Sequence, residues 1–244
     1  MDKIVISERR DIMTAQISND IKYNGEIYQL LYESNYVFEP EKFGFHKTYW
    51  SCTACYAGYM IDLKVEDGKL IVERLRINDR TKKPPQFLGT VAVKGPRDID
   101  AVGLFEAFDY IYNDVNQKIE FTGKILIARE RAINNVFHGY QPFYCFKDVI
   151  ELTFENGDLI TANDCSDLAR RVREKFLSEK ERVVGKADKI LEAGPTKDIP
   201  AEEFIKAMQA RFHFFDYENI RNIIKNNFYD EYKTKMWWYK PEYN

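Results

Sequence analysis

The sequence is poor in the features that mark several common classes of protein. It contains 4 cysteines in 244 residues, too few for a disulfide-stabilised scaffold. It has no run of about 18 or more apolar residues, so it predicts no transmembrane helix. Charges at positions 8–11 interrupt any signal-peptide core. These absences predict a cytoplasmic protein whose cysteines stay reduced.

The patterns needed for nucleic-acid binding and for common catalytic mechanisms are missing as well. The 36 basic residues are balanced by 39 acidic ones, for a net charge of −3, so there is no electrostatic case for a nucleic-acid partner. No glycine-rich phosphate loop and no serine in a nucleophile elbow occurs. We therefore expect no cofactor, no bound metal and no membrane or nucleic-acid partner.

Aromatic and other apolar residues are plentiful. Hydrophobic residues make up 45% of the chain and aromatic residues 15%, with 16 Tyr and 17 Phe. This composition can supply a large core, and it favours the pleated, half-buried surfaces of β-sheets. We therefore expect a substantial β component.

One phrase occurs twice: MIDLKVEDGKLIV at residues 60–72 and VIELTFENGDLIT at residues 149–161. Each copy is an alternating segment interrupted by Asp67-Gly68 or Asn156-Gly157. These dipeptides suit type I′ turns, in which both central residues have positive φ. Both copies are therefore predicted to be β-hairpins.

Turns at these dipeptides fix which residues face each other across each hairpin. In the first copy Leu63 faces Val72, and the apolar residues share one face of the hairpin. In the second copy the turn places Glu155 opposite Asp158, a like-charge pair that costs a few tenths of a kcal/mol or so. The register is set by the turn and by the buried face.

Each copy has a companion upstream, predicted to be a hairpin turning at Asn24-Gly25 or at Thr122-Gly123. The order of hairpin, irregular segment and hairpin therefore occurs twice, at about residues 15–80 and 112–165. It predicts an antiparallel, pseudo-duplicated β domain over residues 1–165.

The period of the apolar residues changes at Ser166. A long helix is predicted from there to about Ala193, a second from Pro200 and a third capped by Asp216. Residues 166–244 are therefore predicted to form a helical C-terminal segment, and the fold class is α+β.

Cys52 and Cys55 form a C-x-x-C pair, a spacing found in half of a zinc site and in redox pairs. Zinc needs a second pair, yet Cys145 and Cys165 are far apart in the sequence. A redox pair opens a helix, whereas this segment leads into a predicted strand. The pattern favours small buried thiols at the start of a strand.

The loop at His138-Gly139-Tyr140 is open to three interpretations. A histidine beside a glycine can be a general base, a ligand for an anion or a turn residue. A base needs a nucleophile or a metal to act on, and the sequence displays neither.

Two functional hypotheses follow. In the first, the chain is a non-enzymatic protein-binding or accessory factor, possible examples being immunity proteins, and its partner is another protein or a second copy of itself. Its aromatic C-terminal residues either fold back or contact the partner; they are Trp237, Trp238 and Tyr239. In the second, the chain is an enzyme or a small-ligand protein with a site between segments 55–59 and 138–144. The candidate residues of that site are Cys55, Tyr56, Tyr59, His138, Tyr140 and Tyr144.

Several of these segments together resemble a group of bacterial proteins of uncharacterised activity. They are YNGEIYQL, CTACYAGY, FTGKILIA, HGY and ELTFENGDLI, within residues 15–160. In that group the second segment often reads S-T-A-C-W-R-G-Y and precedes a similar D-G hairpin. This sequence differs by having Cys52, Tyr56 and Ala57 in place of the Ser, Trp and Arg. The resemblance supports the β fold and implies no activity.

Overall fold

Strands dominate the first part of the chain and helices the last in the computed structural model, which describes residues 15–50, 52–96, 103, 106–133, 137, 139–193, 200–215 and 217–239. The strands are β1 (Asp20–Tyr23), β2 (Glu26–Glu33), β3 (Tyr59–Glu66), β4 (Lys69–Ile77), β5 (Val93–Lys94), β6 (Tyr110–Tyr112), β7 (Gln117–Lys118), β8 (Gly123–Arg131), β9 (Phe146–Glu155) and β10 (Asp158–Asp164). The helices are α1 (Ser166–Ala193), α2 (Ala201–Phe214), α3 (Tyr217–Asn227) and α4 (Tyr229–Thr234), and short 3₁₀ turns are formed by Pro40–Phe43, Phe143–Cys145 and Trp237–Tyr239. None of the helices described is long and apolar enough to cross a membrane.

The hairpins predicted from Asn-Gly and Asp-Gly pairs are confirmed. β1 pairs with β2, β3 with β4 and β9 with β10, each in antiparallel orientation. Leu63 faces Val72 and Glu155 faces Asp158, as predicted. All the central turn residues have positive φ; they are Asn24, Gly25, Asp67, Gly68, Asn156 and Gly157.

The strands form a closed barrel with additional strands at one side. The order around it is β10-β9-β8-β2-β1-β3-β4, and β10 also pairs with β4, while β6, β5 and β7 extend the sheet from β4. The pair β1–β3 is parallel, so the expectation of an antiparallel domain is wrong at this position. The two hairpins that contribute β1 and β3 lie side by side with these strands pointing the same way, which makes the sheet mixed.

The two copies of the repeated phrase meet where the barrel closes. The amide of Leu159 donates to the carbonyl oxygen of Gly68 at 2.7 Å, and the amide of Leu70 donates to that of Gly157 at 2.8 Å. Asp158 lies opposite Lys69 in the same pairing. Each hairpin turn therefore fixes its own register and also supplies half of the closing seam.

The predicted hairpin at Thr122-Gly123 does not form. β7 pairs with β4, and β8 pairs with β2 and β9. The backbone between β7 and β8 bonds to other parts of the seam, since the carbonyl oxygen of Phe121 accepts from the amide of Gly157 at 2.8 Å. Thr122 likewise accepts a bond from the amide of Asn156 at its hydroxyl, at 2.9 Å. Segments 15–80 and 112–165 therefore each end in a hairpin, but only the first of these segments also begins with one.

Two large apolar cores and one small cluster, which contains Cys55, Met60 and Phe108, organise the described part of the chain. One fills the barrel with side chains such as Ile21, Leu70 and Ile125. The other lies between the outer face of the barrel and the helices, and includes Val149 on β9 and Phe176 on α1. α1 begins at Ser166 as predicted, and the helical segment packs directly on the β domain.

Candidate functional site

At one end of the barrel, β1 stops short of its two neighbours. Asn19, just before β1, bonds to both of them: its carbonyl oxygen accepts from the amide of Leu30 at 2.8 Å, and its side-chain oxygen from the amide of Ile61 at 3.0 Å. Beyond this point β2 continues to Glu33 and β3 begins at Tyr59. We call this end of the barrel, around Glu33 and Tyr59, the barrel mouth.

Residues 15–17 tie the two predicted ligand segments to the barrel mouth. The amide of Gln16 donates to the carbonyl oxygen of Gly139 at 2.9 Å, and the amide of Ile17 to that of Ala54 at 2.9 Å. The side-chain oxygen of Gln16 also accepts from the amide of Tyr56 at 3.1 Å. Segments 55–59 and 138–144 are therefore both bonded to this short stretch.

A bulge in β2 turns the Glu33 side chain toward the barrel interior. The pairing of β2 with β8 shifts register between Leu30 and Tyr32. After the shift, Tyr32 packs against the outer core, and Glu33 lies opposite Ile125, which faces inward. Strict alternation from Leu30 predicts the reverse, so the sequence pattern alone places Glu33 on the outer face.

Burial changes the acidity of Glu33. Its Oε2 accepts a hydrogen bond from the amide of Val37 at 3.0 Å. Loss of solvent raises the pKa of the carboxyl to about 7, although the Val37 bond acts in the opposite direction. The barrel mouth therefore contains a carboxyl group that changes charge near neutral pH.

Tyr59 and Tyr140 lie close enough to Glu33 to interact with it electrostatically. The Tyr59 hydroxyl donates to the carbonyl oxygen of Phe38 at 3.3 Å. Burial raises the pKa of both phenols, and the Glu33 carboxylate is the next largest cause in each case. Cys55 adds to both shifts. Three of the predicted ligand residues thus share one electrostatic environment.

Cys55 contributes a neutral thiol to the barrel mouth. Its Sγ lies 3.5 Å from the carbonyl oxygen of Tyr59, to which it donates. Burial, followed by the neighbouring Cys52, raises the pKa of the Cys55 thiol to about 11. Within the described ranges, no group of three His, Cys, Asp or Glu side chains could hold a metal ion. Cys55 acts here as a small buried group, as the sequence favoured.

Four aromatic side chains near the barrel mouth are exposed, and we call them the aromatic rim: Tyr36, Trp50, Tyr56 and Tyr140. Their exposed fractions run from 39% for Tyr56 to 70% for Tyr36. The rings of Trp50 and Tyr56 lie 5.6 Å apart, while Tyr36 and Tyr140 both interact electrostatically with Tyr59. Sequence reasoning did not select Tyr36 or Trp50, although Trp50 stands two residues before the C-x-x-C pair.

Three other predicted residues, Tyr144, Trp237 and Trp238, lie away from the barrel mouth. Tyr144 and Trp238 are buried in the core under the helices, each in contact with Phe143. The indole of Trp237 is also buried and donates to Oε2 of Glu151 at 2.7 Å. The two tryptophans therefore have the folded-back arrangement. His138 and the side chain of Tyr239 lie outside the described part of the chain.

Known proteins provide no template for the barrel mouth, because no protein-family model, curated protein or solved structure matches the chain.

Proposed function

We propose that this chain is a non-enzymatic binding protein that engages another protein through the aromatic rim. The observation that carries the proposal is the presence of four exposed aromatic side chains at one end of the barrel, where Trp50 contacts Tyr56 and where Tyr36 and Tyr140 both interact with Tyr59. Large aromatic side chains are enriched in protein interfaces and dominate their binding energy, because they bury much area at low entropic cost. Patches of this kind commonly mark interaction sites.

The state of the thiols also favours binding over nucleophilic catalysis. Burial raises the pKa of Cys55 and Cys165 to about 11 and that of Cys145 to about 12. The thiolate is the nucleophilic form of cysteine, so these three thiols are protonated and unreactive at neutral pH. They serve as packing groups.

The test compares rim variants with a control variant altered on another exposed apolar residue. Trp50→Ala combined with Tyr56→Ala removes half of the rim, whereas Val91→Ala shortens a side chain that is 67% exposed outside it. Proteins captured from host cells by the wild type are identified, and the affinity of a purified candidate partner is measured for each form. We expect the rim variant to bind at least about tenfold more weakly, as for a loss of about 1.4 kcal/mol, and the control to bind normally. Equal affinities for all three forms would exclude the rim as the binding surface.

Glu33 favours a second candidate function, a small-ligand or acid–base site. A carboxyl group with a pKa of about 7 can donate or accept a proton at neutral pH, and the phenols of Tyr59 and Tyr140 lie beside it. A screen of metabolites by thermal shift tests this function in wild type and Glu33→Gln. A ligand that stabilises the wild type but not the variant would favour the second candidate.

A further inference from the structure

Two of the four cysteines lie at the two ends of one tight turn beside the barrel mouth. The amide of Cys55 donates to the carbonyl oxygen of Cys52 at 3.2 Å, so residues 52–55 form a hydrogen-bonded β-turn. The first and fourth Cα atoms of such a turn lie within about 7 Å of each other. Disulfides join Cα atoms that are about 4.4–6.8 Å apart. The spacing of this turn therefore suits a disulfide between its two cysteines.

The side chains of both cysteines contribute to one small apolar cluster. Cys55 forms this cluster with Met60 and Phe108, and Cys52 packs against it. Cys145 and Cys165 belong to the core under the helices instead. The two thiols of the turn therefore lie in the same region, apart from the other two thiols of the chain.

The two thiols of the turn differ in accessibility. Cys52 is partly exposed, whereas Cys55 is buried and its Sγ donates to the carbonyl oxygen of Tyr59 at 3.5 Å. Burial raises the pKa of Cys55 to about 11, which keeps this thiol protonated and unreactive toward external reagents. In thiol–disulfide exchange an accessible thiol reacts first and a neighbouring thiol completes the bond. Cys52 suits the first step and Cys55 the second.

The middle residues of the same turn hold the stretch 15–17. The carbonyl oxygen of Ala54 accepts from the amide of Ile17 at 2.9 Å, and that of Thr53 accepts from the side-chain amide of Gln16 at 2.7 Å. A covalent bond across the turn closes these two middle residues in a small ring and restricts their backbone angles. The oxidation state of the two thiols is therefore coupled to the attachment of residues 15–17.

We propose that Cys52 and Cys55 are a reversible thiol–disulfide pair, which a low-molecular-weight disulfide oxidises and whose oxidation stiffens the turn that holds residues 15–17. In the reduced protein Cys55 is a buried packing group, and the proposal adds a second, oxidised state. It goes beyond the proposed binding function and does not depend on it, because the state of the two thiols is measured without a partner.

The oxidation proceeds in two steps. The Cys52 sulfur, as a thiolate, attacks one sulfur of the small disulfide, whose S–S bond breaks and releases one small thiol with the proton that Cys52 lost. The Cys55 sulfur then gives up its proton and attacks the Cys52 sulfur, and the mixed disulfide breaks to release the second small thiol with that proton. Two protein thiols are oxidised to one disulfide, and one small disulfide is reduced to two thiols. The second step is intramolecular, which offsets the low thiolate fraction of Cys55.

The test equilibrates the folded full-length protein with mixtures of reduced and oxidised glutathione. Free thiols are blocked with iodoacetamide in urea, and trypsin then releases residues 48–64 as one peptide that contains Cys52 and Cys55 but neither of the other two cysteines. We expect this peptide to escape blocking and to be lighter by two hydrogen atoms, and to be blocked twice when dithiothreitol is added first. A peptide that keeps two free thiols at every glutathione ratio would overturn the pair.

Variants separate the roles of the two thiols. Cys55→Ser is expected to stop after the first step and to carry one glutathione on Cys52, whereas Cys52→Ser carries none on Cys55. Cys165→Ser is the matched control, because it removes a partly buried thiol elsewhere and leaves the disulfide intact. If Cys55→Ser does not fold, Cys55→Ala replaces it with the same expectation. Glutathione trapped on Cys55 in Cys52→Ser, with none on Cys52 in Cys55→Ser, would overturn the order of attack.

Amide hydrogen exchange of the reduced and oxidised protein measures the effect on residues 15–17. The Ile17 amide is expected to exchange at least about threefold more slowly in the oxidised protein, because its acceptor on Ala54 is held more rigidly. The amide of Leu159, which donates to Gly68 at the seam of the barrel, is the internal control and is expected to exchange at the same rate in both states. Equal rates for Ile17 in the two states would overturn the stiffening of the turn.

Discussion

The two turn glycines of the repeated phrase are expected to differ in their tolerance of alanine. Gly68 and Gly157 have similar positive φ values, 71° and 80°. A Cβ atom at Gly68 would meet nothing within 4 Å, whereas one at Gly157 would lie 2.3 Å from the carbonyl oxygen of Ile119. The same substitution therefore tests backbone strain alone at one site, and strain plus a steric clash at the other.

The magnitudes follow from these two terms. Placing alanine in the left-handed region costs about 1–2 kcal/mol, which is the whole expected loss for Gly68→Ala. At Gly157 the clash is with backbone, which cannot move aside as the end of a flexible side chain does. Overpacking of this kind adds about 1–3 kcal/mol, and the seam bonds to Leu70 and Phe121 are disturbed as well. We expect Gly157→Ala to cost about 2 kcal/mol more than Gly68→Ala.

Urea unfolding of both variants, followed by circular dichroism, measures this difference. For a chain of this size about 2 kcal/mol corresponds to a decrease in Tm of roughly 4–8 °C, so thermal unfolding provides an independent reading. If both variants have native spectra before unfolding and lose the same free energy of unfolding, the backbone around Gly157 can shift to accept a Cβ atom at little cost. A larger loss for Gly68→Ala would refute the reasoning altogether.

Three further predictions concern single groups. Asp158→Lys removes one member of the like-charge pair with Glu155, but it also removes the ion pair in which Nζ of Lys118 lies 2.8 Å from the Asp158 carboxylate. We therefore expect it to lower the free energy of unfolding by up to about 0.5 kcal/mol at low salt. Urea unfolding at low and high salt measures this effect. Burial raises the pKa of Glu33 from an ordinary 4.5 to about 7, so the folded state holds a proton that the unfolded state releases, and stability falls as pH rises from about 4 to 8. Glu33→Gln should remove up to about 3 kcal/mol of that pH-dependent loss of stability. If the free energies of unfolding of variant and wild type differ by the same amount at every pH in this range, the raised pKa of Glu33 is contradicted. Trp237→Phe should cost about 1–3 kcal/mol beyond the loss of packing, because it removes one hydrogen-bond donor from the buried carboxylate of Glu151 on β9. Trp238→Phe is the matched control, because the Trp238 indole nitrogen has no hydrogen-bond partner in the described part of the chain.

Local features of the structure were predictable from the sequence. The Asn-Gly and Asp-Gly turns set the registers of three hairpins because each needs only two residues with positive φ and an alternating flank. The change in the spacing of apolar residues at Ser166 likewise predicted where α1 begins. Both signals depend on residues close together in the chain.

Distant contacts decided what the sequence could not show. The hairpin predicted at Thr122-Gly123 failed because the backbone nearby bonds to Gly157 and Asn156 on another strand pair. The candidate residues Cys55, Tyr59 and Tyr140 were chosen as single positions, and their common environment depends on the stretch 15–17.

Glu33 shows the limit most clearly. The sequence by itself determined that its strand alternates and that a hairpin precedes it at Asn24-Gly25. It did not determine which face Glu33 would occupy, because one bulged residue in the pairing with β8 reverses the alternation. That bulge forms only when β2 is matched to a strand about 90 residues away in the chain. The tertiary structure alone therefore placed a carboxyl group inside the barrel mouth, where burial makes it titrate near pH 7.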